Sequence, residues 1–150
     1  MLGPDGTRGL RTLDLYAGTG AFGLEALSRG AASADFVELD ERRCRDIKKA
    51  LEDLGFADRG RVHRGDALKV TERLEGEFDL VFADPPYAMD PFSDLFERLH
   101  RRRMMAKEAI AFLEHSARTL LPDALPGARR MDTRKYGDAS VSVYRPAPQG

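Results

Sequence analysis

The stretch DLYAGTGAFGLEALSRG, residues 14–30, decides the fold. Its glycines Gly18, Gly20 and Gly23 have the spacing G-x-G-x-x-G and lie between a short apolar run and an amphipathic segment. Glycines in this spacing, after a strand and at the start of a helix, let the backbone approach a nucleotide closely. The stretch therefore predicts a strand–turn–helix unit that binds NAD or another cofactor containing adenosine.

Outward from this unit, short apolar runs alternate with helical patterns, which indicates a parallel sheet built from βαβ units. The last two strands are joined at Gly137–Asp138, a signal for a tight hairpin. The sequence predicts one α/β domain, residues 1–150, with a doubly wound, mostly parallel seven-stranded sheet and a C-terminal antiparallel hairpin. We expect residues 1–10 and 146–150 to be flexible. The predicted strands are residues 12–17, 34–40, 60–64, 78–83 and 109–115 and two within 129–145.

The predicted helices follow the first four strands. The second has Cys44, Ile47, Leu51 and Leu54 on one face and ends at Gly55. The others begin near Gly20, run from about residue 68 to 74, and carry an apolar face of four residues, Phe92, Leu95, Phe96 and Leu99.

Composition restricts the possible functions. The 24 basic and 25 acidic residues leave a formal net charge of −1, which argues against indiscriminate binding of polyanions. The single cysteine excludes a disulfide framework, and no apolar run is long enough to span a membrane. The three histidines lack the spacing of metal ligands, so we expect no metal. These features predict a cytoplasmic protein without a membrane partner, but they do not predict an oligomeric state.

Two carboxylates follow the second and third strands, on the edge that the glycines occupy. Glu38 comes 20 residues after Gly18, where a carboxylate can accept hydrogen bonds from both ribose hydroxyls. Asp66 ends the third strand, where it can take an adenine amino group while a neighbouring backbone N–H meets a ring nitrogen. Capping of a helix is an alternative role for Asp66 and the main one for Asp40. None of this separates NAD from other adenosine cofactors.

The motif Asp84-Pro85-Pro86-Tyr87 discriminates between the cofactors. Two prolines after a buried strand end the ladder and fix an extended turn, so the Asp84 side chain and the Pro85 carbonyl point in fixed directions. These two acceptors can draw an exocyclic amine from planar toward tetrahedral geometry, while Tyr87 offers a face for stacking. Hydride transfer has no use for such a loop, whereas methylation of an amine does.

The electrophile for such an amine is the methyl group of S-adenosylmethionine. Its sulfonium needs no metal, acid or covalent intermediate, so catalysis reduces to orientation and electrostatics. Asp84 is the candidate acceptor of the departing proton.

The segments DLYAGTGAFGLEALSRGA, VELD, DPPY and RKYGDASVSVY, in this order, resemble the RsmD family of 16S rRNA guanine-N2 methyltransferases. The resemblance covers residues 13–144 and implies a Rossmann-like class I methyltransferase that uses S-adenosylmethionine. DPPY alone also occurs in DNA adenine methyltransferases. The implied substrate is the exocyclic N2 of a guanine, position 966 of 16S rRNA, in free rRNA or the small ribosomal subunit.

The resemblance also implies a set of site residues. Asp14, Gly18 and Gly20 would line the methionine end of the cofactor, Glu38 the ribose, and Asp66 and Ala67 the adenine. Asp84, Pro85, Pro86 and Tyr87 would hold the target amine. The full cofactor set that we predict is Asp14, Tyr16, Gly18, Gly20, Glu38, Leu39, Asp66, Ala67 and Asp84.

Family members usually begin with a further basic segment, tens of residues long, that covers the cofactor and grips RNA. The present sequence starts almost at its first strand, so we expect that segment to be missing. Two basic clusters are candidates for phosphate contacts, with solvated helix ends and edge-strand protection as alternatives. The clusters are Arg98, His100, Arg101, Arg102, Arg103 and Lys107, and Arg129, Arg130, Arg134 and Lys135.

Three other functions remain open. The first is a methyltransferase for another planar amine, such as adenine N6 in DNA or RNA. The second is a non-catalytic remnant that binds cofactor or RNA, and the third is an NAD oxidoreductase.

Overall fold

One continuous sheet runs through residues 6–148, the part of the chain that the computed structural model describes. Four helices accompany it: α1 (Ala21–Ser28), α2 (Glu41–Asp53), α3 (Ala67–Thr71) and α4 (Phe92–Arg101). The strands are β1 (Arg11–Leu15), β2 (Ser33–Glu38), β3 (Gly60–Arg64), β4 (Phe78–Ala83), β5 (Met105–Ser116), β6 (Ala124–Leu125), β7 (Ala128–Tyr136) and β8 (Ala139–Pro146).

The strand order is β3-β2-β1-β4-β5-β8-β7-β6. The first five strands pair in parallel, whereas β8 is antiparallel to both β5 and β7. The predicted fold class is therefore confirmed, including the C-terminal antiparallel hairpin. The predicted strand count of seven is wrong for the described residues, because β6 adds an eighth strand of two residues antiparallel to β7. The surrounding segment LPDALPG, residues 121–127, is rich in Pro and Gly and is typical of a turn rather than a strand.

Helices cover both faces of the sheet, which explains why the central strands are largely apolar. On one face, α1 and α2 pack with Phe36 and Leu80. On the other face, α3 and α4 pack with Leu13 and Val81. Because a single sheet with two covered faces runs through the described residues, we propose that they form one domain.

The helix α2 illustrates how local sequence sets an element. The Asp40 carboxylate caps it by accepting a hydrogen bond from the backbone N–H of Arg43 at 3.0 Å. Cys44, Ile47 and Leu51 are buried, as their spacing predicts. Leu54, expected on the same face, is instead exposed, because the helix ends at Asp53.

Hydrogen bonds hold the outermost described residues. The Thr7 hydroxyl donates to the carbonyls of Ala26 and Arg29, and the backbone N–H of Ala147 donates to the Gly127 carbonyl at 2.9 Å. Of the ends expected to be flexible, residues 1–5 and 149–150 lie outside the described residues. Among residues 6–148, no helix has the length and apolarity needed to cross a membrane.

Candidate active site

The turn after β1 brings the glycine motif against the end of β2. The backbone N–H of Gly18 donates to Oε1 of Glu38 at 2.7 Å, and the N–H of Ala17 donates to the Val37 carbonyl. Gly20 begins α1 with a φ of 79°, a left-handed conformation that glycine adopts without strain. The turn is thereby fixed with Gly18 beside the Glu38 carboxylate.

The third glycine of the motif serves packing. A Cβ on Gly23 would lie 2.4 Å from Cε2 of the buried Phe36 ring, so only glycine lets α1 approach β2 this closely. Its backbone N–H also donates to Oδ2 of Asp14 at 3.0 Å. Gly23 therefore positions the helix and the first site carboxyl.

Asp14 is a buried carboxyl with one unused oxygen. Oδ2 is bonded to Gly23, but Oδ1 has no hydrogen-bond partner among the described residues. Burial, together with the charges of Asp84 and Glu38, raises the pKa of Asp14 to about 7, although the Gly23 hydrogen bond opposes the shift. This carboxyl could stabilise a cationic group, such as an ammonium, at the end of β1.

Glu38 lies at the end of β2 with both oxygens engaged. Oε1 accepts from Gly18, and Oε2 accepts from the backbone N–H of Asp40 at 2.8 Å. Each carboxylate oxygen retains acceptor capacity for a hydroxyl group. The next residue, Leu39, is 67% exposed and offers an apolar surface beside that carboxylate.

Asp66 and Ala67 follow β3 at the same edge. The Asp66 carboxylate caps α3 by accepting from the backbone N–H of Lys69 at 3.2 Å, which is the alternative role considered above. Its charge also acts on Tyr16, whose pKa is raised to about 12, mainly by burial. The Tyr16 hydroxyl has no hydrogen-bond partner among residues 6–148. Tyr16, Asp66 and the buried Ala67 thus group on one side of the glycine turn.

The Asp84–Tyr87 motif follows β4, next to β1. The backbone N–H of Asp84 lies 3.4 Å from the Leu15 carbonyl, and the Asp84 charge acts on Asp14. Pro85 is buried and Tyr87 is half exposed. Pro85, Pro86, Tyr87 and Glu114 line a cavity of about 80 Å³, which continues toward Phe92 and Leu121. The motif therefore borders both the glycine turn and a cavity.

Glu114 was not among the sequence candidates. It lies on β5 immediately after Leu113, which pairs with Ala83, so it is brought beside Asp84. Burial raises the pKa of both carboxyls, and hydrogen bonding between them helps to raise the pKa of Glu114 and opposes the rise in the pKa of Asp84. The available signal was an acidic residue near the end of an apolar strand, but the strand order that brings the two carboxyls together is a long-range property.

Most arginines of the two basic clusters have partners within the protein. Arg98 and Arg101 pair with Glu72, and Arg102 donates to the backbone carbonyls of Thr71 and Leu74. Arg130 and Arg134 pair with Asp123 and Asp132. These contacts favour the structural alternative for the five arginines.

Two further features of the described residues concern ligands. No group of three or more His, Cys, Asp or Glu in the described part of the chain is arranged to hold a metal ion. A cavity of about 250 Å³ lies between α1 and the sheet, lined by Phe22, Leu80, Phe112 and others, and it includes none of the predicted site residues.

Comparison with solved structures defines the class. A conserved hypothetical protein of Streptococcus pyogenes superposes with a TM-score of 0.86 at 31% identity, over 91% of this chain and 86% of that chain. TrmN of Thermus thermophilus superposes with a TM-score of 0.75 at 27% identity, over 93% and 45%. The fold is that of the Rossmann-like class I methyltransferases.

Sequence comparison defines the family. The family described as conserved hypothetical protein 95 matches residues 1–145, and the chain belongs to it. YlbH of Bacillus subtilis is 32% identical over 150 residues, 97% of this chain and 80% of that protein. Ribosomal RNA small subunit methyltransferase D of Escherichia coli is 31% identical over 139 residues, 92% of this chain and 69% of that protein. The resemblance to the RsmD family is confirmed.

Proposed function

We propose that this protein transfers a methyl group from S-adenosylmethionine to the exocyclic N2 of a guanine in 16S rRNA. The observation that carries the proposal is the position of Asp84: Pro85 and Pro86 follow it directly and fix the turn, and its charge acts on Asp14 beside the glycine turn. A carboxyl at this place can meet an acceptor amine on one side and a cofactor on the other.

The residues around the glycine turn fit the cofactor. The unpartnered Oδ1 of Asp14 suits the ammonium of its methionine part, and Glu38 suits the ribose hydroxyls. Leu39, Tyr16, Asp66 and Ala67 would border the adenine. When bound, S-adenosylmethionine supplies an electrophilic methyl group on a positively charged sulfur.

The residues of the Asp84–Tyr87 turn would act on the acceptor. Asp84 and the Pro85 carbonyl accept hydrogen bonds from the two N–H groups of the amine, which localises its lone pair. The exposed ring of Tyr87 can stack on a planar base. These contacts would orient the base, and the Asp84 carboxylate would accept the proton that the amine loses.

The choice of substrate rests on the relatives. The name of the E. coli relative describes a small-subunit rRNA methyltransferase, and that protein is aligned with 92% of this chain. We therefore propose 16S rRNA, free or in the small subunit, with guanine 966 as the site and the cytoplasm as the location.

The test is incorporation of tritiated methyl groups into 16S rRNA and small subunits that lack the modification, followed by nucleoside analysis. Labelled N2-methylguanosine supports the proposal. Label in duplex DNA or on adenine N6 would identify the other amine, and cofactor binding without transfer to any nucleic acid would favour a non-catalytic protein.

Asp84→Asn tests the role of the carboxyl. We expect turnover to fall about 100-fold, as for loss of a proton acceptor, and cofactor affinity, measured by calorimetry, to fall by much less. Asp58→Asn, an exposed carboxyl before β3 at the opposite edge of the sheet, is the matched control. An equal loss of cofactor affinity and turnover would assign Asp84 to the cofactor site instead.

A further inference from the structure

Glu114 and Asp84 form a carboxyl pair at the acceptor side of the site. They are neighbours because β4 and β5 pair in parallel, with Ala83 opposite Leu113. Both side chains are partly buried, and each residue directly follows one member of that pair, so the two carboxyls lie side by side at the sheet edge. Glu114 also lines the 80 Å³ cavity together with Pro85, Pro86 and Tyr87. It therefore borders the space beside the motif that would hold the amine.

Two hydrogen-bonded carboxyl groups must share a proton, because an ionised carboxylate has acceptors only. Burial raises the pKa of each group, and the charge of Asp84 and its hydrogen bond raise the pKa of Glu114 further. The same hydrogen bond opposes the rise for Asp84, so the proton belongs chiefly to Glu114. Between the two steps of its titration, the pair carries one proton and one negative charge.

We propose that Glu114 is a positioning residue of the methyl-transfer site, which donates the shared proton to Asp84 and keeps that carboxylate ionised and oriented toward the acceptor amine. This inference rests on the proposed function. The inference adds to the site a second carboxyl that lies outside the Asp84–Tyr87 motif. Glu114 can donate a hydrogen bond to Asp84 only in its protonated form.

The proton balance of the reaction agrees with this role. The amine nitrogen forms a bond to the methyl carbon, the bond from that carbon to sulfur breaks with its electrons staying on sulfur, and the nitrogen loses one proton. Asp84 accepts that proton, so the pair holds two. One proton then leaves to water through the cavity that Glu114 borders, which restores the starting state.

Other groups around the pair bear on its titration. The charges of Glu114, Asp84 and Asp138 contribute to a raised pKa of Tyr87, and Asp138 lies in the turn between β7 and β8. Asp14, on β1, interacts with the charge of Asp84. On the neighbouring strand β8, the residue paired with Glu114 is the apolar Val141. The neighbouring His115 is engaged with the hydroxyl of Ser142 at 2.7 Å and the carbonyl of Ser116. The named charged neighbours are acidic, which favours retention of the shared proton.

Carboxyl carbon NMR of the protein labelled at Asp and Glu tests the pair without any substrate. We expect Asp84 and Glu114 to titrate in two coupled steps, and Asp84→Asn to lower the apparent pKa of Glu114. Independent titrations at ordinary carboxyl pKa values would overturn the proposal. Because no methyl transfer is measured, this result stands apart from the success or failure of the proposed function.

The pH dependence of kcat tests the role in the reaction. Wild type should lose turnover on the alkaline side as Glu114 loses its proton. In Glu114→Gln the amide remains a donor at every pH, so this alkaline fall should disappear. Glu108→Gln, an exposed site near the other end of β5, should keep the wild-type profile. An alkaline limb unchanged in Glu114→Gln would reduce Glu114 to a structural residue.

Discussion

At the scale of single residues, the site depends on carboxyls that are buried next to one another. Asp14, Glu38, Asp84 and Glu114 follow or end four neighbouring strands, and the charges of Glu38 and Asp84 act on Asp14. Buried like charges cost free energy unless a proton or a cation neutralises them. The arrangement therefore lowers the stability of the protein without a ligand and favours the binding of a ligand that carries positive charge.

The stability of the empty protein should reveal this cost at Asp14. Its folded-state pKa is about 7 against an ordinary 3.8, so the native state binds more protons than the unfolded state between these values. Stability should therefore fall as pH rises from about 4 to 7, by on the order of 4 kcal/mol for this group. Asp14→Asn should remove that fall, and it should unfold at higher urea than wild type at pH 8.

Urea titrations of wild type and Asp14→Asn across pH 4 to 8 measure this difference. The same substitution should abolish cofactor binding, because the amide cannot neutralise an ammonium. Asp58→Asn, exposed and distant from the site, should follow the wild-type curve. Equal pH dependence in wild type and Asp14→Asn would mean that Asp14 titrates normally.

At the scale of elements, the glycine motif works through the contact between α1 and β2. Gly23→Ala places a methyl group 2.4 Å from the buried Phe36 ring, which cannot move away without disturbing the core around Ile47. We expect a loss of about 1–3 kcal/mol in the free energy of unfolding, as for overpacked cores. Urea denaturation at pH 7 measures it.

A second variant separates packing from chain flexibility at Gly23. The double variant Gly23→Ala, Phe36→Leu should lose less stability than the sum of the two single variants, because the smaller side chain leaves room for the methyl group. If the double variant were as unstable as the sum of the two single variants, the contact between α1 and β2 would not be the cause.

Sequence patterns predict elements well where their signals are local. β3 and β4 have the predicted bounds, and the hairpin turns at Gly137–Asp138. β5 begins earlier than predicted, at Met105, because exposed Lys107 and Glu108 hide the start of the strand. β6 escaped prediction because two residues carry no periodicity.

Candidate site residues, like the elements, could be predicted from the sequence only where their signal is local. Residues with a motif, such as Glu38 and Asp84, could be named from the sequence, and the structure brings them to one sheet edge. Glu114 could not, because its meeting with Asp84 depends on β5 lying next to β4 rather than on any spacing along the chain. The cap made by Asp66 shows that a side chain predicted to bind a ligand can also have a local role in the fold.

At the scale of the whole molecule, the parallel strands bring every predicted site residue to one edge. Ligands of open α/β sheets bind at this carboxyl edge. Five arginines of the basic clusters are paired within the protein, and the formal net charge is −1, so overall charge does not drive RNA binding. The proposed recognition of RNA by the described residues would therefore depend on local contacts.

Cofactor binding should stabilise the whole molecule and distinguish the two cofactors that the glycine motif allowed. A ligand at 100 times its Kd adds about 2.7 kcal/mol to the free energy of unfolding, which corresponds to about 5–10 °C in Tm for a domain of this size. We expect such a shift with S-adenosylmethionine and none with NAD, measured by differential scanning calorimetry. Glu38→Gln should reduce the shift, whereas Glu41→Gln, an exposed carboxyl at the start of α2, should preserve it. A shift with NAD alone would make the protein an oxidoreductase in spite of its Asp84–Tyr87 turn.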